Sequence, residues 1–190
     1  MVSIHEDTQC LLKYWLSLND GKLPAFSRWD PIEIRRLMPF VMILERGADR
    51  HYFHRFSGTG LCELAGMELT GRPLSDVVDP EDLDQAEVSL DAILDGPCGL
   101  LSNRTTRSST GRIIDGEYLS LPLAGEGGAA DRIVIHLAVL KTLGYGDESV
   151  DIGEQTLVSV IDLGGRTPPA FSDGVTTPCQ LLEGPDAVLP

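Results

Sequence analysis

From Ile133 to Leu140 nearly every side chain is apolar, and His136 is the exception. A strand with one wet face alternates apolar and polar residues, so a run without alternation has to be covered on both faces. The chain therefore needs a sheet with this segment in its interior and a layer packed above and below it. Burying the His136 imidazole is costly unless it meets a carboxylate, a hydroxyl, water or a ligand. The segment thus defines a core strand and carries one polar group that needs a partner.

A covering layer stands near the start of the chain. Leu11, Leu12, Trp15 and Leu18 recur at helical spacing between Asp7 and Leu18, with Thr8 as the expected cap, while Cys10, Tyr14 and Leu16 widen the apolar surface. So much apolar surface suits a helix held between two surfaces. One is its own sheet; Leu11, Leu12, Trp15 and Leu18 are also the candidates for contact with a second subunit.

Between these two segments the chain alternates short strand and helix signals. Asp30-Pro31-Ile32-Glu33 reads as a cap, a proline at the first helical position and an acid in the first turn, with Pro39 as the stop. Val41–Leu44 and Tyr52–Ser57 flank Gly47-Ala48-Asp49 and read as a hairpin. A short helix follows from Thr59 to about Ala65. Asp79-Pro80-Glu81-Asp82 opens another helix, whose Leu83, Ala86, Leu90 and Ile93 give one apolar face until Gly96-Pro97 ends it. Gly99–Thr106, Arg112–Leu123 and Arg132–Leu140 are the remaining strands, and Thr156–Leu163 suits one more strand or helix. Gly164–Pro190, rich in Gly, Pro and acid, is expected to be a mobile tail.

The Gly58-Thr59-Gly60 turn begins like a dinucleotide-binding motif, with Asp76 and Asp79 about where a ribose-binding acid falls. Glu63 stands where the third glycine belongs, and its carboxylate opposes a pyrophosphate at a helix N-terminus. The plainer reading makes Gly58 the turn and Thr59 the helix cap.

Charge narrows the partners. The 190 residues carry a formal net charge of −14, which repels phosphate backbones, so nucleic acid is not an expected partner. After Tyr145, eight acids (Asp147, Glu148, Asp151, Glu154, Asp162, Asp173, Glu183, Asp186) face one base, Arg166, and a solvated extension accounts for them. Cys10, Cys62, Cys98 and Cys179 are too scattered for a metal site or a disulfide framework. With no signal-peptide pattern and no apolar run near the roughly 20 residues that span a bilayer, a cytoplasmic protein with reduced thiols is expected.

Four segments, in order, carry a family resemblance: Asp30-Pro31 through Leu37-Met38-Pro39, Arg55-Phe56-Ser57-Gly58-Thr59, Glu68-Leu69-Thr70-Gly71-Arg72, and Glu117-Tyr118-Leu119-Ser120-Leu121-Pro122-Leu123 before a Gly-rich turn. From about Leu11 to Thr142 the chain resembles the bacterial stand-alone single-PAS family typical of alphaproteobacteria. The resemblance implies an α+β fold: a five-stranded antiparallel sheet with helices on one face and the N-terminal helix covering the other. It divides the chain into an N-terminal helix (1–22), a PAS-like domain (23–144) and a C-terminal extension (145–190). It also implies a sensory or regulatory role, usually without a fused enzyme.

PAS-type domains can hold haem, flavin or a metabolite between sheet and helices. The Asp79–Leu94 segment has no His to ligate haem, and Leu61-Cys62-Glu63-Leu64 differs from the flavin-reactive Asn-Cys-Arg-Phe type, so no cofactor is expected and Cys62 reads as a small buried hydrophobe. Tyr52, His54, Tyr118 and His136 are the candidate pocket-lining residues, with Trp29 as a lid. Strand parity puts Tyr52, His54 and Phe56 on one face. Arg55 and Glu117 are the candidates for a structural ion pair. The enzyme signatures G-x-S-x-G, H-E-x-x-H and the P-loop are absent. Two functions lead: a non-enzymatic, dimeric sensor of a small molecule, and a ligand-free protein-interaction or dimerisation module; a small-molecule enzyme is the third and least favoured reading.

Overall fold

The computed structural model describes residues 4–19, 22–145, 155–163 and 175–176. The chain opens with helix α1 (Glu6–Ser17), passes through a series of turns, and enters the hairpin β1 (Val41–Arg46) and β2 (Tyr52–Ser57). Helices α2 (Thr59–Ala65) and α3 (Pro80–Asp95) follow, then β3 (Cys98–Arg107), β4 (Arg112–Ala124) and β5 (Ala130–Tyr145). Two further strands, β6 (Gln155–Asp162) and β7 (Val175–Thr176), extend the sheet.

The sheet order is β2-β1-β5-β4-β3-β6-β7. The five expected strands are antiparallel, and β6 adds a sixth by pairing antiparallel with β3. Only the short β7 runs parallel to its neighbour. β5 lies between β1 and β4, the interior position that its unbroken apolar run requires. The extension after residue 144 therefore contributes sheet through β6; the rest of the expected tail, apart from 175–176, lies outside the described residues.

Two cores flank β5. Val134 joins Leu11, Leu12, Trp15, Ile34, Leu37, Val41, Ile43, Leu119, Leu121 and Ile161 on the α1 side. Ile133 and Ile135 face the other way, with Leu44, Tyr52, Leu90, Ile93, Leu94, Leu100 and Val160 under α3. Leu137, beside Leu61, Leu69 and Ile114, continues that face under α2.

The α1 helix belongs to its own subunit's core. Leu11, Leu12 and Trp15 are all 0% exposed, and the Trp15 indole N–H donates to the Pro122 carbonyl at 2.8 Å. The apolar stripe assigned to a subunit contact is thus spent inside the chain, and half-buried Leu18 closes the helix by donating its N–H to Trp15. The cap is His5, whose ring accepts from the Asp7 N–H at 3.2 Å; the expected cap, Thr8, is buried in the first turn. Residues 31–37 form successive turns rather than a helix: Asp30 caps Ile32 as expected, but bonds such as Leu37 to Ile34 and Arg35 to Ile32 span three residues, not four.

The glycine turn before α2 is a packing device. Gly58, not Thr59, is the N-cap, and a Cβ there would run into the carbonyls of Met38 and Pro39. A Cβ on Gly60 would meet the Phe40 ring at 2.9 Å. Both glycines let α2 settle onto the turn that leads into β1, which accounts for the motif without a phosphate. Among the described residues, no helix is long and apolar enough to cross a membrane.

If Trp15 is an internal anchor, Trp15→Ala will lose about 3–5 kcal/mol of stability in urea unfolding, in line with truncation of buried aromatic residues. A loss below about 1 kcal/mol with a changed sedimentation coefficient would return this side chain to a subunit interface.

Candidate functional site

The expected pocket residues lie on opposite sides of the sheet. Tyr52 and His54 of β2, and Tyr118 of β4, face α2 and α3. His136 pairs in register with Val41 and Leu119 and faces α1 with them. Trp29 packs on the α1 side, its ring set edge-on to Tyr14 at 5.2 Å, so it does not close over the helix-side residues.

On the helix side, each polar candidate already has an internal partner. The buried Tyr52 hydroxyl donates to Asp91 of α3 at 2.8 Å. Burial first, and this bond to a carboxylate second, push the phenol pKa up. Burial alone would raise Asp91, but the hydrogen bonds from Arg50, Arg46 and Tyr52 hold it below the usual carboxylate range. Arg46 reaches both Asp91 (2.9 Å) and Asp95 (2.7 Å), and Arg50 also pairs with both, so the β1–β2 hairpin grips α3 by a charged cluster. His54 is buried, and its ring Nδ1–H donates to the Arg72 carbonyl at 3.2 Å; burial lowers its pKa and keeps it neutral. The Tyr118 hydroxyl bonds Thr106 at 3.0 Å. Tyr52 also borders a small cavity of about 170 Å³ with Leu83 and Glu87.

The expected Arg55–Glu117 pair does not form. β2 and β4 are separated by β1 and β5, which puts three strand spacings, roughly 14 Å, between them. Arg55 instead pairs with Glu45 at 2.7 Å and stands over the Phe26 ring, where Arg132 joins it from β5. Buried Glu117 accepts the backbone N–H of His5 at 2.9 Å and so ties the N-terminal segment to the sheet. Parity also breaks in β2. Leu44 opposes His54 but Ile43 opposes Phe56, so Arg55 is an extra residue and Phe56 turns to the α1 side.

The larger opening lies where β1 stops. β1 pairs with β5 only as far as Val41 opposite His136, while β5 runs on to Tyr145. Beyond that point a cavity of about 440 Å³ opens, lined by His136, Leu137, Ala138 and Val139 of β5. Its other walls are His5 and Asp7, the Arg36–Phe40 turn, α2 at Gly60, Glu63 and Leu64, and the β3–β4 turn with Arg112 and Ile114. Ser109 donates its N–H to the Leu64 carbonyl at 2.8 Å and pins that turn to α2. His136 is 2% exposed and its Nδ1 has no hydrogen-bond partner. Burial drives its pKa down to about 4, against a smaller upward pull from Asp7. At the rim, Arg36 is held by Asp7 at 2.7 Å, while Arg112 donates to the Thr142 hydroxyl at 2.8 Å. Among the described residues, no group of three His, Cys, Asp or Glu side chains is placed to hold a metal.

Of the expected site residues, this notch contains only His136. Arg36, Phe40, Leu64, Ser108 and Arg112 were not expected at a site, and Glu63 was weighed only against a phosphate, because only the folded topology brings them together. One signal was available: the strand expected over Arg132–Leu140 is longer than the one expected over Val41–Leu44, which the structure sets beside it.

An antiparallel sheet ordered β2-β1-β5-β4-β3, with small helices on one face, defines an α+β domain of PAS-like architecture. The family model described as PAS domain matches residues 3–138, and the chain belongs to that family, whose members are typically sensory or regulatory. No curated protein matches the sequence. Similar solved structures include VqmA bound to DPO, at 12% identity and a TM-score of 0.46, covering 58% of this chain and 56% of that one. The blue-light photoreceptor Aureochrome1 LOV in its light state is 15% identical with a TM-score of 0.41, covering 57% of this chain and 86% of its own. An RNA-binding Light-Oxygen-Voltage receptor is 13% identical with a TM-score of 0.42, covering 57% of this chain and 32% of the receptor. The chain thus spans about half of VqmA and a third of that receptor.

The His136 environment gives a pH signature. With its folded pKa near 4 and its ordinary value at 6.5, the unfolded chain takes up the proton first, so stability falls as pH drops through that window. His136→Leu removes the linkage, and the variant should gain about 3 kcal/mol relative to the parent between pH 6.5 and pH 4. A difference that stays constant with pH in urea titrations would show that His136 does not carry this burden.

Proposed function

We propose that this PAS domain is a non-enzymatic regulatory module that works through contact with another protein rather than through a ligand held between sheet and helices. One observation carries the reading. The space beneath α2 and α3 is occupied by side chains of the domain itself, and the three polar candidates there each hold an internal hydrogen bond. Leu44, Leu74, Leu90, Ile93 and Ile135 fill it, while Tyr52 is committed to Asp91, His54 to Arg72 and Tyr118 to Thr106. A guest there has to displace packed apolar contacts and leave buried polar groups unpaired, and each such group costs about 1–3 kcal/mol.

The homodimer inferred from the α1 stripe loses its surface once Leu11, Leu12 and Trp15 are inside the subunit.

A second reading keeps a small molecule but moves it to the notch lined by His136, a cavity of about 440 Å³. That cavity falls within the usual range for ligand sites, roughly 300–1,000 Å³.

Native mass spectrometry of the chain taken gently from its source cells separates these readings. The protein-contact reading expects the mass of the chain with a second polypeptide. A retained small molecule whose footprint covers Tyr52, His54 or Tyr118 overturns it.

A further inference from the structure

A protein contact needs a place to dock, and the inference that follows rests on the proposed function. β5 offers that place. Among the described residues, Arg132 to His136 has strand neighbours on both sides, whereas Leu137 to Tyr145 is paired only with β4. The track that β1 vacates is not closed by another strand. We infer that an extended peptide segment of a partner protein docks there, adding to β5 as a strand.

The shape of the cavity carries the argument. Its β5 wall is four successive residues, His136 to Val139. Successive strand residues point to opposite faces of a sheet. His136 faces α1, whereas Leu137 faces α2. A cavity touching both kinds of residue lies edge-on to the strand, in the plane of the sheet, not above one face. An edge exposes a row of backbone N–H and C=O groups, and such a row pairs best with another extended backbone.

The side chains around the gap describe the occupant. Toward α2 the walls are Phe40, Leu64, Ile114, Leu137 and Val139, which suit an aliphatic side chain. Toward α1 they are His5, Asp7, Arg36 and His136, which suit a polar one. Two arginines, Arg36 and Arg112, are balanced by two acids, Asp7 and Glu63. A balanced rim favours a segment without net charge. The occupant is therefore an uncharged, extended stretch alternating aliphatic and polar residues. It meets the free edge where Leu140 stands 46% exposed and runs inward to His136.

Pairing of this edge with the same edge of a second copy fits poorly. Its own free edge is recessed, with Leu137 at 3% and Ala138 at 2% exposure, and two recessed edges do not reach each other. A compact small molecule fills the cavity but leaves the row of backbone groups unpaired.

Residue-resolved amide hydrogen exchange by NMR tests this, with a short capped peptide alternating valine and threonine as the probe and the same peptide N-methylated along its backbone as the control. In the free chain, the gap-facing amides between Leu137 and Thr142 should exchange at least about tenfold faster than those of Ile133 to Ile135, because no second strand protects them. The probe should slow those amides by about threefold or more, and the N-methylated control should not. Full protection of the edge in the free chain overturns the inference, as does equal slowing by both peptides or by neither. Occupation of the cavity by a small molecule that leaves edge exchange fast also overturns it. A small molecule found beneath α2 and α3 defeats the proposed function instead, and leaves the exchange result at the edge intact.

Discussion

The fold depends on burying β5 from both sides. From Ile133 to Ala138 its side chains alternate between the α1 core and the helix-side cores and, His136 apart, are apolar on both, because neither face of this stretch reaches water. Each apolar side chain so covered contributes about 1.5–3 kcal/mol by removal from water. The layers follow from it: α1 is needed because Val134, Leu119 and Leu121 need cover, and α3 because Ile133, Ile135 and Leu100 do.

Polar bonds then fix how those layers sit. The Trp15 indole reaching the Pro122 carbonyl sets the height of α1 over β4, and the His5 backbone bonded to Glu117 sets where its first turn begins. On the opposite face, Arg46 and Arg50 hold Asp91 and Asp95, with Tyr52 bonded to the same Asp91. Exposed ion pairs of this kind are individually weak, but a buried tyrosine sharing their carboxylate gives them a fixed geometry. Tyr52 thus acts as a clamp on α3 rather than as a ligand anchor.

What the sequence made legible was whatever local periodicity and turn chemistry encode. The Asp79-Pro80 start of α3, the Gly47-Ala48-Asp49 hairpin and the interior place of β5 all follow from such signals. Interactions set by register were not legible. Arg55 and Glu117 sit on sheet strands, but the sheet order keeps them apart, and strand order is not written in either segment. The bulge at Arg55 turned Phe56 to the other face, because one extra residue reverses a period of two. Residues 31–37 carried a sound helix-start signal, yet Ile34 and Leu37 had to reach the α1 core, and tighter turns delivered them. The His136 candidate was legible as a buried polar group in want of a partner; the notch around it was not, since five separate segments build its walls.

The same strand that organises the core creates the notch. A central strand has to be as long as the layers it supports, whereas β1 is cut short because its chain must turn at Met38–Phe40 to let α2 dock through Gly58 and Gly60. Lengthening β1 would drive it through that contact, so the gap is a consequence of the packing of α2 rather than a defect in β5. Its rim includes Asp7, paired with Arg36, and His5, whose backbone is held by Glu117, and these are the residues that lead into α1. Anything entering the gap therefore touches the start of the helix that covers the opposite core. A contact at this edge is positioned to bias how firmly α1 is seated, provided that the occupant binds the two seatings with different affinity.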